Sequence, residues 1–366
     1  MVTGRLFSAQ RQELLLAELR GQGAVRVRDL AREFGVSELT IRRDIAALAE
    51  QGLVAKVHGG ATLPPPRNAV HQRRQASLRL DVGMVVPSLD VYWLPVVAGA
   101  RAAAAALGVS IHLRGSSDDP DEDRRRTHRL VAAHQVQGLL LAPSSDGDDA
   151  DENLEWTGHL PVPTILVERQ PRRWTPSTRH IEWVRTDHSL GLEIAIYHLR
   201  QQGHRRVGLV VAQASPTSVH LRHAWRTAAA DPRLSGVLAV EGSVGAPGDR
   251  NLIGGVLGIC SRAGVTALIV HSDLHAVAVA RVCAEMGIAI PDDLAIVSYD
   301  DEIAHLADPA ITAVRLPKSH VGRLAVELMV SRLLHGVRRP PHRVLLAPDL
   351  VVRGSSLSPT QPHFTS

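Results

Sequence analysis

Apolar residues follow different rhythms in different stretches of this chain. From 8 to 19, Leu14, Leu15 and Leu19 recur at helical spacing, and Gly21 and Gly23 supply the backbone freedom that ends a helix. A second short helix is expected from about 28 to 33, with Leu30, Ala31 and Phe34 facing inward and a break at Gly35. Ser37 then stands where a third helix needs an N-cap, and Glu38 complements the dipole of its first turn. Ile41, Ile45 and Leu48 repeat at i, i+4 and i+7 as a buried stripe, while Thr40, Arg43 and Ala47 share another face. Residues 53–58 and 61–63 flank Gly59-Gly60, which predicts two short strands around a tight turn.

From 81 onward the rhythm changes. Short apolar runs at 82–86, 111–113, 138–142, 164–167, 207–211, 267–270 and 295–298 alternate with helical stretches at 95–107, 122–133, 189–201, 217–230, 249–263, 273–286 and 319–334. Such alternation implies parallel sheets covered by helices on both faces. Roughly 270 residues are long for one doubly wound sheet and comfortable for two lobes. The expected fold is therefore α/β: an N-terminal winged helix-turn-helix, followed by a two-lobed domain of doubly wound parallel sheets. The expected division is a head at 1–63, a basic linker at 64–80 opening on Pro64-Pro65-Pro66, and an effector domain at 81–356. Its first lobe takes 81–184 with 313–337 and its second 185–312 with 338–356, leaving 357–366 as a disordered tail.

Charge sharpens the reading of the head. Residues 1–80 carry 13 Arg and Lys against 7 Asp and Glu, and the remaining residues are close to balance. The basic excess sits with the helix that bears Arg42-Arg43. On that helix Thr40 and Arg43 are placed to reach base edges and Arg42 to flank them toward phosphate, with Ser37 at the cap. Lys56 and His58 alternate along the first wing strand and project to one side, where backbone phosphate would lie.

In open parallel sheets ligands bind beyond the carboxyl ends of the strands. Those ends carry Ser88 and Tyr92-Trp93, residues 143–146, Glu168-Arg169, Asp273 and Asp300-Asp301. With aromatic residues only 3% of the chain, adjacent Tyr92 and Trp93 suggest stacking on an apolar ring face, and the carboxylates and arginine suit neighbouring hydroxyls. Competing readings remain open at this stage: Asp273 as a helix cap, Tyr92-Trp93 as interlobe packing, Asp300 as a turn cap.

Two stretches resemble known families. Arg11-Gln12, Val27-Arg28-Asp29-Leu30-Ala31, Phe34-Gly35-Val36-Ser37, Thr40-Ile41-Arg42-Arg43-Asp44 and His58-Gly59-Gly60-Ala61 resemble the DeoR-type winged helix-turn-helix over 8–62. Residues 81–356 are similar to the LacI/GalR effector domain, through Gly203-His204-Arg205-Arg206, Ser272-Asp273, Pro291-Asp292-Asp293-Leu294 and Ser298-Tyr299-Asp300-Asp301. The second resemblance implies effector contacts at Tyr92, Trp93, Glu168, Arg222, Asp273 and Asp300. Trp225 departs from the family's usual glycine, which predicts a narrower pocket or a shifted loop. The usual hinge helix of that family is replaced by the proline linker, and the sugar-phosphate domain usual behind a DeoR head is absent.

Together these imply a bacterial transcriptional regulator, a repressor of carbohydrate-use genes. Its expected partners are a double-stranded DNA operator, a small sugar-like effector and a second copy of itself in a homodimer. Alternatives are a regulator responding to a nucleoside or sugar phosphate, a solute-binding protein and a DNA-tethered sugar enzyme. No phosphate-binding glycine loop, nucleophile elbow or metal set occurs, so neither catalysis nor a cofactor is expected. His271 and His275 flank Asp273, but at a strand-to-helix junction that argues against a metal, and Asp146-Gly147-Asp148-Asp149 lacks the glutamate of a calcium loop. Cys260 and Cys283 read as buried small hydrophobes in a reducing cytoplasm. No leader or spanning segment is read at the N-terminus, so no membrane partner is expected.

Overall fold

The computed structural model describes residues 8–22, 24–50, 53–57, 59–62, 80–89, 92–117, 119–143, 150–171, 175–213, 215–234 and 237–357. The chain divides into two compact units, Met1–Arg79 and Leu80–Ser366. Residues 64–79 of the expected linker, the tail beyond Leu357 and His58 lie outside the described residues, while Leu80, expected in the linker, opens the first strand of the second unit.

In the first unit, α1 (Ser8–Gln22), α2 (Val27–Glu33) and α3 (Glu38–Glu50) enclose a core of Leu15, Leu19, Leu30, Ile41, Ile45 and Leu48. Leu14, expected in the inward stripe, is 44% exposed, because only Leu15 and Leu19 share the face that meets α3. The wing is a three-stranded sheet in the order β1 (Ala24–Arg26), β3 (Gly60–Thr62), β2 (Ala55–Val57). The pattern predicted β2 and β3 and gave no sign of β1, which is too short for period-2 alternation to register. Gly60 is required where β1 crosses β3, since a Cβ there would stand 2.1 Å from the Val25 carbonyl oxygen.

The second unit holds two six-stranded sheets. One has the order β14-β8-β7-β6-β4-β5, from β4 (Leu80–Val86), β5 (Val109–Gly115), β6 (Gly138–Leu141), β7 (Thr164–Val167), β8 (Glu182–Thr186) and β14 (Arg343–Leu346). The other has the order β10-β9-β11-β12-β13-β15, from β9 (Val207–Ala212), β10 (Leu238–Val244), β11 (Ala267–His271), β12 (Ala295–Asp300), β13 (Thr312–Arg315) and β15 (Asp349–Val351). All pairings are parallel except β13 with β15, which is antiparallel. The interior strands β6, β9 and β11 are buried along their whole length, as their unbroken apolar runs require.

The chain passes between the sheets three times, around 187, 316–317 and 347–348. This moves the lobe limits. Residues 313–315, expected in the first lobe, pair beside β12 in the second sheet with Ser298 opposite Ala313, and 343–346, expected in the second, pair beside β8 with Val344 opposite Val184. Each passage comes after a strand is completed, so strand pairing fixes the border. Among strands the pattern did not predict, β8 places Glu182 in the protein interior, where Arg332 and Arg339 at 2.7 and 2.9 Å neutralise it.

Candidate functional site

On the head, the Ser37 hydroxyl caps α3 by accepting from the Thr40 N–H at 3.2 Å, and lies 2.9 Å from the Thr40 hydroxyl. Both hydroxyls are thus engaged with each other at the helix start. Arg42 reaches back to Glu38 at 3.5 Å with both side chains well exposed, a pair of little energetic weight. Arg43 is exposed and has no ion-pair partner among the described residues. Asp44, on the inner side of the same turn, is buried and accepts from Arg11 Nε at 2.8 Å and Nη2 at 3.3 Å, which locks α1 to α3. Lys56 is exposed on β2, at the position paired with Ala61.

In the second unit a cavity of about 500 Å³ lies between the carboxyl ends of the two sheets. Its first-sheet wall carries Ser88, Tyr92, Trp93, Arg169 and Lys318; its second-sheet wall carries Ser215, Thr217, His271, Asp273, His275, Asp300 and Glu302. Helices Trp93–Leu107 and Lys318–His335 begin at it from one side, Pro216–Ala230 and Asp273–Glu285 from the other. Five of the seven residues expected from sequence are therefore brought together here: Tyr92, Trp93, Arg169, Asp273 and Asp300.

Glu168 and Arg222 are not. Glu168, at a left-handed backbone position with φ of 54°, turns its carboxylate to the Thr186 N–H at 3.0 Å and hydroxyl at 2.8 Å. Burial raises its pKa, with those two hydrogen bonds opposing. Arg222 points to Glu241 at 3.3 Å, away from the cavity lining. Trp225, expected to narrow the pocket, is buried in the second sheet's core with Leu192, Leu209 and Leu221 and lines no part of the cavity.

The aromatic pair is also differently disposed from the stacking expected. Trp93 is only 4% exposed and packs in the first lobe's core, edge-on to Tyr92 at 5.4 Å, with the Arg169 guanidinium 5.6 Å from its ring centre. Tyr92 packs against the cores of both lobes. Its ring carries the Lys318 ammonium at 4.3 Å, and burial raises its phenol pKa well above the ordinary value, so it faces the cavity as a hydroxyl.

Asp273 is a positioning group. Its carboxylate accepts from the backbone N–H groups of Asp301, Glu302, Ile303 and Ala304 at 3.3, 2.6, 2.8 and 3.1 Å and from the Ser298 hydroxyl. That saturates the roughly four lone-pair sites a carboxylate offers. It thereby holds the loop that presents Asp300 and Glu302. Asp300 sits at φ of 136° with Oδ1 lacking a hydrogen-bond partner among the described residues, Lys318 Nζ at 3.8 Å and His271 Nε2 at 4.0 Å. Its pKa is raised to about 7, first by burial and against the pull of Lys318. His271 is held at about 3 by burial first, so it is neutral. The Ser218 hydroxyl donates to the Ala212 carbonyl, so it accepts from His271 Nδ1–H at 3.3 Å, and the His271 Nε2 lone pair faces the cavity. Both nitrogens of His275 are engaged, Nε2 donating to the Gly245 carbonyl at 2.8 Å and Nδ1 accepting from the Ser272 N–H at 3.3 Å.

Lys318 and His271 line the cavity and were not among the residues expected from sequence; Lys318 stands out. It is 3% exposed at the first turn of its helix and pairs across the cleft with Glu302 at 2.7 Å. A signal existed: it is one of only two lysines in the chain, set directly after Pro317.

Residues 11–67 match the family model described as a DeoR-like helix-turn-helix domain, and residues 196–356 match that of the periplasmic binding protein-like domain. The chain thus carries a segment similar to the DeoR-like helix-turn-helix domain ahead of one similar to the periplasmic binding protein-like domain. It is 24% identical over 343 residues to the ribose operon repressor of Escherichia coli (strain K12), covering 90% of this chain and 99% of that protein. Among solved structures it is similar to the transcriptional regulator CelR–cellobiose complex (25% identity, 93% of this chain and 98% of that one, TM-score 0.59). It shares its fold with the lac repressor dimer bound to operator and the anti-inducer ONPF (21% identity, 80% and 100%, TM-score 0.64). Among the described residues no helix is long and apolar enough to cross a membrane.

Proposed function

We propose that this chain is a sequence-specific DNA-binding transcriptional regulator, a cytoplasmic repressor of carbohydrate-use genes whose operator affinity is set by a small sugar in the cavity. The observation that carries the reading is the pairing, in one chain, of a pinned helix with Arg43 outward and a cavity whose two walls differ in hydrogen-bonding character. The second-sheet wall offers acceptors, Asp300 Oδ1 and His271 Nε2; the first-sheet wall offers the cations Arg169 and Lys318. A polyol, whose hydroxyls donate and accept, suits both. A phosphate suits them less, because it would add negative charge beside Asp300, whose pKa is raised first by burial and then by the nearby carboxylates of Asp273, Glu302 and Glu168. Proposed effector contacts are Tyr92, Arg169, His271, Asp300 and Lys318, with Asp273 holding the loop. Names of related proteins, a ribose operon repressor and a regulator in complex with cellobiose, favour a carbohydrate.

Action as a homodimer on an inverted repeat follows from affinity: one winged head makes few contacts, and a second linked head adds its own at high effective concentration. No turnover is assigned to the cavity, and a product assay on incubated sugar checks that.

The test is selection from a random duplex library with full-length protein, followed by thermal-shift screening against pentoses, hexoses and disaccharides. The expected result is one enriched symmetric sequence, and a sugar that both raises the melting temperature and shifts affinity for it. Arg43→Ala should weaken binding to the enriched site by about 1 to 3 kcal/mol and relax one base position. Affinity equal to that for random DNA in every condition sinks the reading.

A further inference from the structure

Ile41, Asp44, Ile45 and Leu48 turn toward the head's interior. At about 100° per residue, the direction opposite them falls on Leu39, Arg43 and Ala46, with Arg42 and Thr40 to either side. The outermost face of α3 is therefore one residue row away from the Thr40–Arg43–Ala47 face expected from the sequence. Leu39 is 61% exposed in the first turn of α3, beside the Ser37 cap, and takes no part in the head's core. A lone exposed leucine is ordinary on a protein surface. This one shares a face with Arg43 and is flanked by Arg42, exposed cations that match a polyanion.

Resting on the reading of α3 as the helix that enters the major groove, we propose that Leu39 reads sequence by packing on the 5-methyl group of a thymine, within two base steps of the base read by Arg43. Residues in the first turns of a recognition helix approach base edges most closely. The one apolar group displayed on the floor of the major groove is the thymine methyl. The Thr40 hydroxyl is engaged with Ser37, and Ala46 is too short to reach far, so Leu39 and Arg43 are the outward side chains with reach to the floor. One helical turn separates them, about 6 Å along the axis, against about 3.4 Å per base step.

The experiment starts from the enriched duplex obtained with full-length protein. Each thymine is replaced singly by deoxyuridine, which deletes only the methyl, and gel-shift titrations are run with wild type, Leu39→Ala and Leu39→Met. At one thymine position per half-site, within two steps of the base pair relaxed by Arg43→Ala, loss of the methyl is expected to weaken wild-type binding roughly four-fold. Leu39→Ala should bind the parent duplex less tightly and become indifferent to thymine or deoxyuridine at that position alone. Leu39→Met, with an apolar tip of similar reach, should keep the discrimination. An enriched site with an Arg43-dependent base but no thymine whose methyl matters, or methyl dependence unchanged in Leu39→Ala, overturns the role of Leu39 and leaves the DNA-binding reading standing. If nothing is enriched, that reading fails and takes this one with it.

Discussion

Asp300 concentrates the physical chemistry of the cavity. Its native carboxyl keeps a proton up to about 7, while the unfolded chain releases it near the ordinary aspartate value of 3.8. The native state is therefore favoured in full below pH about 4, and this contribution, of order a few kcal/mol, is lost as pH rises through 7. His271 runs the other way: held at about 3 against 6.5, its contribution is complete above 6.5 and disappears as pH falls through 3. Between pH 4 and 6.5 the two slopes oppose each other. Asp300→Asn should thus gain stability relative to wild type between pH 5 and pH 8, read from urea denaturation at both. An identical difference at the two pH values means that the carboxylate is ionised throughout.

Two helix contacts decide where the functional side chains stand. Helices Trp93–Leu107 and Lys318–His335 touch backbone to backbone: a Cβ on Gly99 would lie 1.9 Å from the Ser319 carbonyl oxygen, and one on Gly322 1.9 Å from that of Val96. Because these helices begin at Trp93 and Lys318, their crossing sets the gap between Tyr92 and Lys318. Gly99→Ala is expected to cost about 1 to 3 kcal/mol by forcing the pair apart. It should also blunt the sugar response while leaving operator affinity intact; an unaltered response separates the crossing from the cavity. In the head, Arg11 and Asp44 make the corresponding contact between α1 and α3, with side chains only 12% and 5% exposed. Arg11→Ala should lower the head's stability by about 3 kcal/mol, because it strands a buried carboxylate, and Arg11→Met with Asp44→Leu should recover most of it. A calorimetric scan of the full chain reports this as a shift of one transition. Their recurrence in the resemblance to DeoR-type heads is thus accounted for by packing rather than by contact with bases.

At the scale of the effector unit, the cleft is tied across by one buried cation. Lys318 reaches Glu302 and Asp300 on the opposite wall, and Asp273 and Asp301 brace the loop that carries them, Asp301 through Arg315 and Arg353 at 2.7 Å each. Lys318→Met keeps the apolar stem and removes the charge, leaving two carboxylates without their cation. The expected outcome is a loss of about 3 kcal/mol in the unfolding of residues 80–357, with the head's transition unmoved. A coupling of about 1 to 3 kcal/mol between cavity and operator would alter DNA affinity 5- to 150-fold. Operator titrations with and without saturating sugar, on wild type and Lys318→Met, measure whether this tie belongs to the coupling.

Periodicity alone was enough for the head's three helices, the wing turn, the strands of unbroken apolar sequence in both sheets and the ends of those strands that line the cavity, but not for β8 and β13. Each depends on local spacing: i, i+4 stripes, unbroken apolar runs and glycines at turns. Which carboxylate is free and which is committed was decided by tertiary contacts. Asp273 and Asp300 look alike at strand ends, yet four N–H groups from a distant loop converge on the first, while an oxygen of the second has no hydrogen-bond partner among the described residues. Strand order placed β13 and β14, and the fold turned Arg222 to Glu241 and brought Lys318 to Asp300. Such choices are non-local, because a side chain's partner is set by where the chain returns in space, and short-range pattern carries no record of that.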